Sequence, residues 1–386
     1  MAAGAELVVA QVVDENDDEV GPLQGLPPDA ILPQRRRAPY NRTVLDTTIV
    51  GSLPKPQWLA EPGALRAAWR LRGAELEQAL DDAVRLALLD QAEAGIDVVC
   101  DGEQRRRHYI WGFLEGLAGT DCEALGLKRT RGGRYGAQTP VARIVGELAR
   151  PAPVFVQALR FARAHTDRPL KVTLPGPMTI VDSVLDEHYR GDERALAMRF
   201  AELLNEEARD LAAAGAAAVQ FDEPCFNVYV EKVEAWGVEA LERCCAGVRA
   251  KKAVHICYGY GIPAVLEWKQ HNRDWGQYGR TLPLLAGSSI DQVSVECAAS
   301  GVDVSVLEVL KGKDVLLGVI DVGTEEVETP ARVAERIRKA LPHVPAERLM
   351  PCTDCGLVPR SRAAARGKMR ALAAGAALVR AELHLP

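Results

Sequence analysis

Apolar positions along this chain recur with two periods that take turns. Short β-branched or apolar runs cover 47–50, 98–100, 170–174, 218–221, 253–257, 292–296, 315–320 and 348–350. Between most of them lie longer stretches whose apolar positions fall every three or four residues, the spacing of one helix face. Such stretches cover 64–94, 153–165, 191–214, about 231–249 and 361–383, and two of them stop at Gly95 and Gly215. Thr329 followed by Pro330 is a helix-start signal, a side-chain cap ahead of a residue with no N–H to satisfy. Each strand run ends at a glycine, a proline or an ionisable residue. Strand–helix alternation builds a parallel sheet, and eight units predict an α/β fold of the closed (β/α)8 TIM-barrel type. Polar strand ends agree with chemistry on the C-terminal face of such a barrel. Residues 43–386 are assigned to the barrel, with an insertion over 103–152 after the second strand. Residues 1–42 mix acids, prolines and glycines without a period and read as an irregular N-terminal extension.

Composition narrows the function classes. With 386 residues and 48% hydrophobic content the chain can fill a large core without disulfide staples. Lys and Arg total 47 against 53 Asp and Glu, a net charge of −6, which offers no electrostatic footing for nucleic acid. The run Arg35-Arg36-Arg37 is too isolated to change that. No apolar stretch approaches the ~20 residues of a membrane span, and the acidic first residues lack a signal-like core, so a cytoplasmic protein without a membrane partner is expected. No glycine-rich dinucleotide fingerprint or phosphate loop is present. Nine cysteines, an odd number, speak against a disulfide framework. Cys100, Cys122, Cys225, Cys244 and Cys245 read as small buried hydrophobes.

The remaining chemistry gathers at strand ends. His255 and Cys257 flank Ile256 on one strand, so alternation turns both into the barrel and Ile256 toward the helices. Imidazole beside thiolate favours zinc. Alone, the pair is better read as core; Glu296 and Cys355 at the ends of two further strands shift the balance toward a metal site. Cys352 and Cys355 form a CxxC pair, which could instead be redox-active or give two zinc ligands.

These residues resemble the C-terminal catalytic barrel of cobalamin-independent methionine synthase. The matching segments are Val50-Gly51-Ser52-Leu53-Pro54, Asp101-Gly102-Glu103, Gly176-Pro177-Met178-Thr179-Ile180, Gln220-Phe221-Asp222-Glu223-Pro224, His255-Ile256-Cys257, Glu296, Gly318-Val319-Ile320-Asp321 and Asp354-Cys355-Gly356. They follow family order over about 45 to 383. The resemblance implies a zinc-dependent S-methyltransferase that makes methionine from homocysteine, with Zn2+ on His255, Cys257, Glu296 and Cys355 and with Cys352 as a structural neighbour. It further implies that the turn Val50, Gly51, Ser52 meets the substrate carboxylate, while Glu103 and Asp222 meet its ammonium. The simpler alternative pairs Glu103 with Arg105, Arg106 or Arg107 and leaves Asp222 as a helix cap. No catalytic group beyond the zinc-activated substrate thiol is assigned.

Two positions depart from the family pattern. Ser183 stands where a tryptophan is expected against a folate ring, and Gly323 where a histidine is expected as proton donor. Too few residues precede position 45 for the second barrel of full-length members. Together these lead to the expectation of a donor that leaves without a proton, a methylcobalamin or a corrinoid-bearing partner protein, rather than methylfolate. The alternatives are a folate-dependent enzyme, a zinc-dependent alkyltransferase acting on another thiol such as coenzyme M, and a zinc-binding protein without turnover.

Overall fold

The computed structural model describes residues 43–61, 66–260, 263–272 and 275–384; the N-terminal extension expected over 1–42 lies outside them. Among the described residues nine strands form two sheets. An antiparallel hairpin of β1 (Ala118–Lys128) and β2 (Thr139–Ala149) carries the short β4 (Val184–Asp186) parallel to β2. The other sheet is parallel throughout, in the order β3 (Lys171–Pro175), β5 (Ala218–Asp222), β6 (Lys251–Ile256), β7 (Gln292–Val295), β8 (Asp314–Ile320) and β9 (Leu349–Thr353).

Six strands become eight through two short segments. Thr48 bridges Val98 and Val99 bridges Leu170, both in parallel sense. Val98 N–H donates to Thr47 O at 3.0 Å, Val99 N–H to Pro169 O at 3.0 Å, and Thr48 N–H to Pro351 O at 3.2 Å. These bonds carry the pairing from β9 round to β3, which is the barrel expected from the alternation. The first two strands shrink to single bridges because turns at Gly51 and at Asp101-Gly102 end them almost at once.

Helices cover the outside. Gly73–Ala94 begins later than the periodicity suggests and stops at Gly95, whose φ of 88° needs no side chain. Asp192, Thr329 and Ser361 each accept a backbone N–H at the starts of Glu193–Ala213, Pro330–Ala340 and Arg362–Glu382. Their apolar faces, among them Val84, Phe200, Leu204, Ile337 and Leu372, are buried against the strands. At the lower end of the barrel interior Val50, Val98, Leu316, Met350 and Cys352 pack together.

The insertion proves to be the β1–β2 hairpin, which periodicity did not reveal. Its ladder breaks between Ala118 and Thr120 and again between Asp121 and Gly126, so alternation never runs long enough to read. Its tip is pinned to the barrel: Arg131 pairs with Asp182, and Gly132 N–H donates to Tyr229 Oη at 2.7 Å. Among the described residues no helix is long and apolar enough to cross a membrane.

Candidate functional site

Strand register assembles the site. Asp222 on β5 pairs with His255 on β6, and His255 with Ser294 on β7, so the three share one inward-facing level near the C-terminal ends. His255 Nδ1 lies 2.9 Å from Ser294 Oγ. Its other nitrogen, Nε2, is buried and has no hydrogen-bond partner. Such an atom normally has one.

What faces it is a pair of thiols. His255, Cys257 and Cys355 bring one ligand atom each within 4.8 Å of one another. Cys257 Sγ and Cys355 Sγ are 3.7 Å apart. Two thiolates at about 2.3 Å from a tetrahedral ion would sit about 3.8 Å apart. An orphaned imidazole nitrogen, that sulfur spacing and the N/S donor set all fit a bound metal ion. The hydrogen bond from Cys355 draws the Cys257 thiol well below its ordinary value, with His255 adding to the effect. Cys352 lies elsewhere, fully buried in the apolar cluster beneath, where burial pushes its thiol up to about 11. Between them Asp354 is anchored, its carboxylate accepting the N–H groups of Cys297, Ala298 and Ala299 at 2.8–3.0 Å.

Glu296 is placed differently from the sequence expectation. It is fully buried, but its Oε1 is 2.6 Å from Lys269 Nζ and its Oε2 accepts from Tyr258 N–H at 2.9 Å. The structure therefore brings together three of the four expected ligands and turns the fourth toward a lysine that sequence reasoning did not single out. Nothing in the sequence marks Lys269, which comes from the helix Pro263–His271.

A cavity of about 330 Å3 opens beside the thiols. Val50, Ser52, Glu103, Asp222, His255, Cys257 and Cys355 all line it. Gly51 sits behind, where a Cβ would press to 2.8 Å on Thr173 and 2.9 Å on the Glu103 carboxylate. Glu103 has a φ of 57°, a conformation uncommon outside glycine, and its Oε1 accepts from Thr173 Oγ1 at 2.8 Å. Of the three arginines that might have claimed it, Arg105 goes to Asp81 and Glu77 and Arg107 to Glu115 and Glu123. Only Arg106 approaches, at 3.9 Å, while donating to Thr173. Asp222 accepts from Gln220 Nε2 at 2.8 Å, and burial pushes it up to about 7, with His255 pulling the other way. Helix capping falls to its neighbour: Glu223 accepts the N–H groups of Met178 and Thr179, both at 2.9 Å. Asp222 is thus left to face the cavity. Lys55 lines the rim, its Nζ 3.2 Å from Glu103 O and its pKa lowered by burial to about 8.

Ser183 and Gly323 do not line the cavity. Ser183 Oγ takes a 3.0 Å hydrogen bond from Arg131, and Gly323 N–H donates to Asp321 Oδ1 at 2.7 Å.

Residues 45–377 match the family described as cobalamin-independent synthase, catalytic domain. A methionine synthase of Saccharolobus solfataricus is 34% identical over 346 residues, covering 88% of this chain and 96% of that protein. One from Sulfurisphaera tokodaii is 32% identical over 344 residues, covering 88% and 94%. Among solved structures, a B12-independent methionine synthase from Shewanella sp. W3-18-1 in complex with selenomethionine superposes with a TM-score of 0.86 at 46% identity, over 88% of this chain and 99% of that one. These matches overturn the expectation of a methylcorrinoid donor or corrinoid partner, since the family works without cobalamin. That expectation took Ser183 and Gly323 to face the donor; in the structure Ser183 is held by Arg131 and the Gly323 N–H by Asp321.

Proposed function

Because this chain belongs to the cobalamin-independent methionine synthase catalytic-domain family and is a methyltransferase, we propose that it methylates the sulfur of homocysteine on a zinc ion held by His255, Cys257 and Cys355. The observation that carries this is the buried, partnerless His255 Nε2 beside a 3.7 Å sulfur pair, in the same cavity as two buried carboxylates. A zinc ion there supplies the Lewis acidity that keeps an incoming thiol deprotonated and nucleophilic at neutral pH.

The chain's own groups do the rest. Ser294 orients the imidazole through Nδ1 so that Nε2 faces the thiols. Asp222 and Glu103 offer negative charge to the substrate ammonium, and Thr173 and Gln220 hold those carboxylates in place. The turn at Val50 and Ser52 is fastened by Val50 N–H to Thr353 Oγ1 at 3.0 Å and by Leu357 N–H to Ser52 O at 2.7 Å, leaving its polar edge toward the carboxylate end of an amino acid. The solved Shewanella relative was crystallised with selenomethionine, the selenium form of the expected product, which supports an amino-acid substrate. A sulfonate thiol such as coenzyme M would leave Asp222 and Glu103 without a cation to hold.

The test is metal analysis of the purified protein followed by methyl transfer to homocysteine from mono- and polyglutamyl methyltetrahydrofolate. One zinc per chain and methionine formation are expected. Metal-free protein with full activity, or turnover of 3-mercaptopropionate as fast as homocysteine, would refute the reading.

A further inference from the structure

Two residues of β3 stand behind the two carboxylates of the cavity. Thr173 holds Glu103 directly. Lys171, two positions earlier and so on the same side of the strand, reaches Asp222 through Gln220. Lys171 is only 2% exposed, and its Nζ donates to Ile49 O at 2.6 Å and to Gln220 Oε1 at 2.7 Å. Gln220 is fully buried, and its Nε2 donates to Val50 O at 2.9 Å and to Asp222 Oδ1 at 2.8 Å.

An ammonium can only donate, so it takes the oxygen of the Gln220 amide and turns the NH2 group toward two acceptors. The reverse orientation would set that NH2 against the ammonium, and the amide oxygen against a carbonyl and a carboxylate. Buried groups would then be left unpaired, at a cost the native arrangement avoids. One amide thus ties Val50 to Asp222, while Lys171 also holds Ile49, the residue before Val50. The turn and the carboxylate are the contacts read above for the two charged ends of an amino acid. Resting on that homocysteine reading, we propose that Lys171 is a positioning residue: it fixes the Gln220 amide and so sets the spacing between the Val50 turn and Asp222 that selects a thiol carrying both an ammonium and a carboxylate. Lys171 acts from beneath the site, through Gln220, and meets no substrate itself.

Lys171→Met keeps the reach of the side chain and removes its donors. In the zinc-loaded variant, calorimetry should show homocysteine bound about tenfold more weakly, an effect of the size expected when a buried polar group loses its partner. Propanethiol, the same side chain without ammonium or carboxylate, should bind as it does to the wild type. Homocysteine KM should rise by a like factor with kcat little changed, and the zinc content should stay at one per chain. Gln220→Glu keeps the oxygen that Lys171 requires but has no N–H for Val50 or Asp222. It should reproduce the selective loss, and it serves if the first variant does not fold. Homocysteine affinity unchanged in folded Lys171→Met or in Gln220→Glu, or homocysteine and propanethiol weakened alike, would overturn the proposal. A wild-type protein that holds no zinc, or that binds propanethiol as tightly as homocysteine, would instead bring down the functional reading beneath it.

Discussion

The mouth and the floor of the barrel interior place the same residue type in contrasting surroundings. Cys352 on the floor is fully buried among Val50, Val98, Leu316 and Met350, and its thiol is pushed up to about 11. Cys257 at the mouth is almost as deeply buried, at 2% exposure, yet its thiol is pulled down by the hydrogen bond from Cys355. Burial alone raises a thiol; a nearby donor or cation reverses the direction. The floor satisfies or excludes its polar atoms, while the mouth leaves His255 Nε2 without a partner.

That contrast can be broken most directly at Cys257. Cys257→Ser should lose its zinc and at least about 100-fold of methyl transfer, more than the 10–100-fold typical of altering groups behind the ligands. Far-UV circular dichroism should remain that of the folded barrel, because this core does not depend on one ion. Stoichiometric zinc in the variant would end the comparison.

Next in size is Asp222→Asn. Without the carboxylate, homocysteine binding should weaken by about 2–5 kcal/mol, the range for truncating one side of a desolvated charge pair. Binding of 3-mercaptopropionate, which lacks the amine, should change far less. Equal losses for both thiols, measured by titration, would move Asp222 from substrate recognition to support of the metal site.

Ser294→Ala sharpens the comparison one layer out. It removes the group that orients His255, and zinc affinity measured by chelator competition should fall about 10–100-fold. Unchanged affinity would show that the strands alone hold the imidazole.

The smallest functional effect belongs to the floor. Cys352→Ser should keep its zinc and activity while losing about 1–3 kcal/mol of stability in chemical denaturation, the cost of a hydroxyl placed in an apolar cluster. Zinc loss here, with zinc retained in Cys355→Ser, would exchange the roles of the two cysteines.

Much of the architecture is legible in the sequence. The runs at 170–174, 218–221 and 315–320 lie on β3, β5 and β8, and the patterns at 191–214 and 361–383 mark the helices Glu193–Ala213 and Arg362–Glu382. Those signals are strong because these strands are buried along nearly their whole length and each of the two helices buries one apolar face. The hairpin β1–β2 is not legible as strands, since bulges interrupt its alternation and Cys122 is the one buried residue of β1. The helical pattern over 231–249 splits into Val230–Lys232, a wider turn and Val238–Cys245. In the site, the parity of His255 and Cys257 was readable from the strand period. Thr173 and Ser294 were not singled out, although the same inward parity on their own strands carries that signal.

Local sequence determined which residues face inward along each strand and which strand ends carry ionisable groups, because backbone alternation and turn chemistry act over a few neighbours. It could not determine which of those groups meet. Three pairings are set by tertiary structure and by no local pattern, though family resemblance already favours the first: Cys355 rather than Cys352 beside Cys257, Glu223 rather than Asp222 on the Met178 and Thr179 amides, and Lys269 on Glu296. Each is a competition between partners far apart in the chain, settled by strand register and helix docking within an ångström or two. No periodicity encodes that, since hydrogen bonds and ion pairs depend on distances that exist only once the barrel has formed.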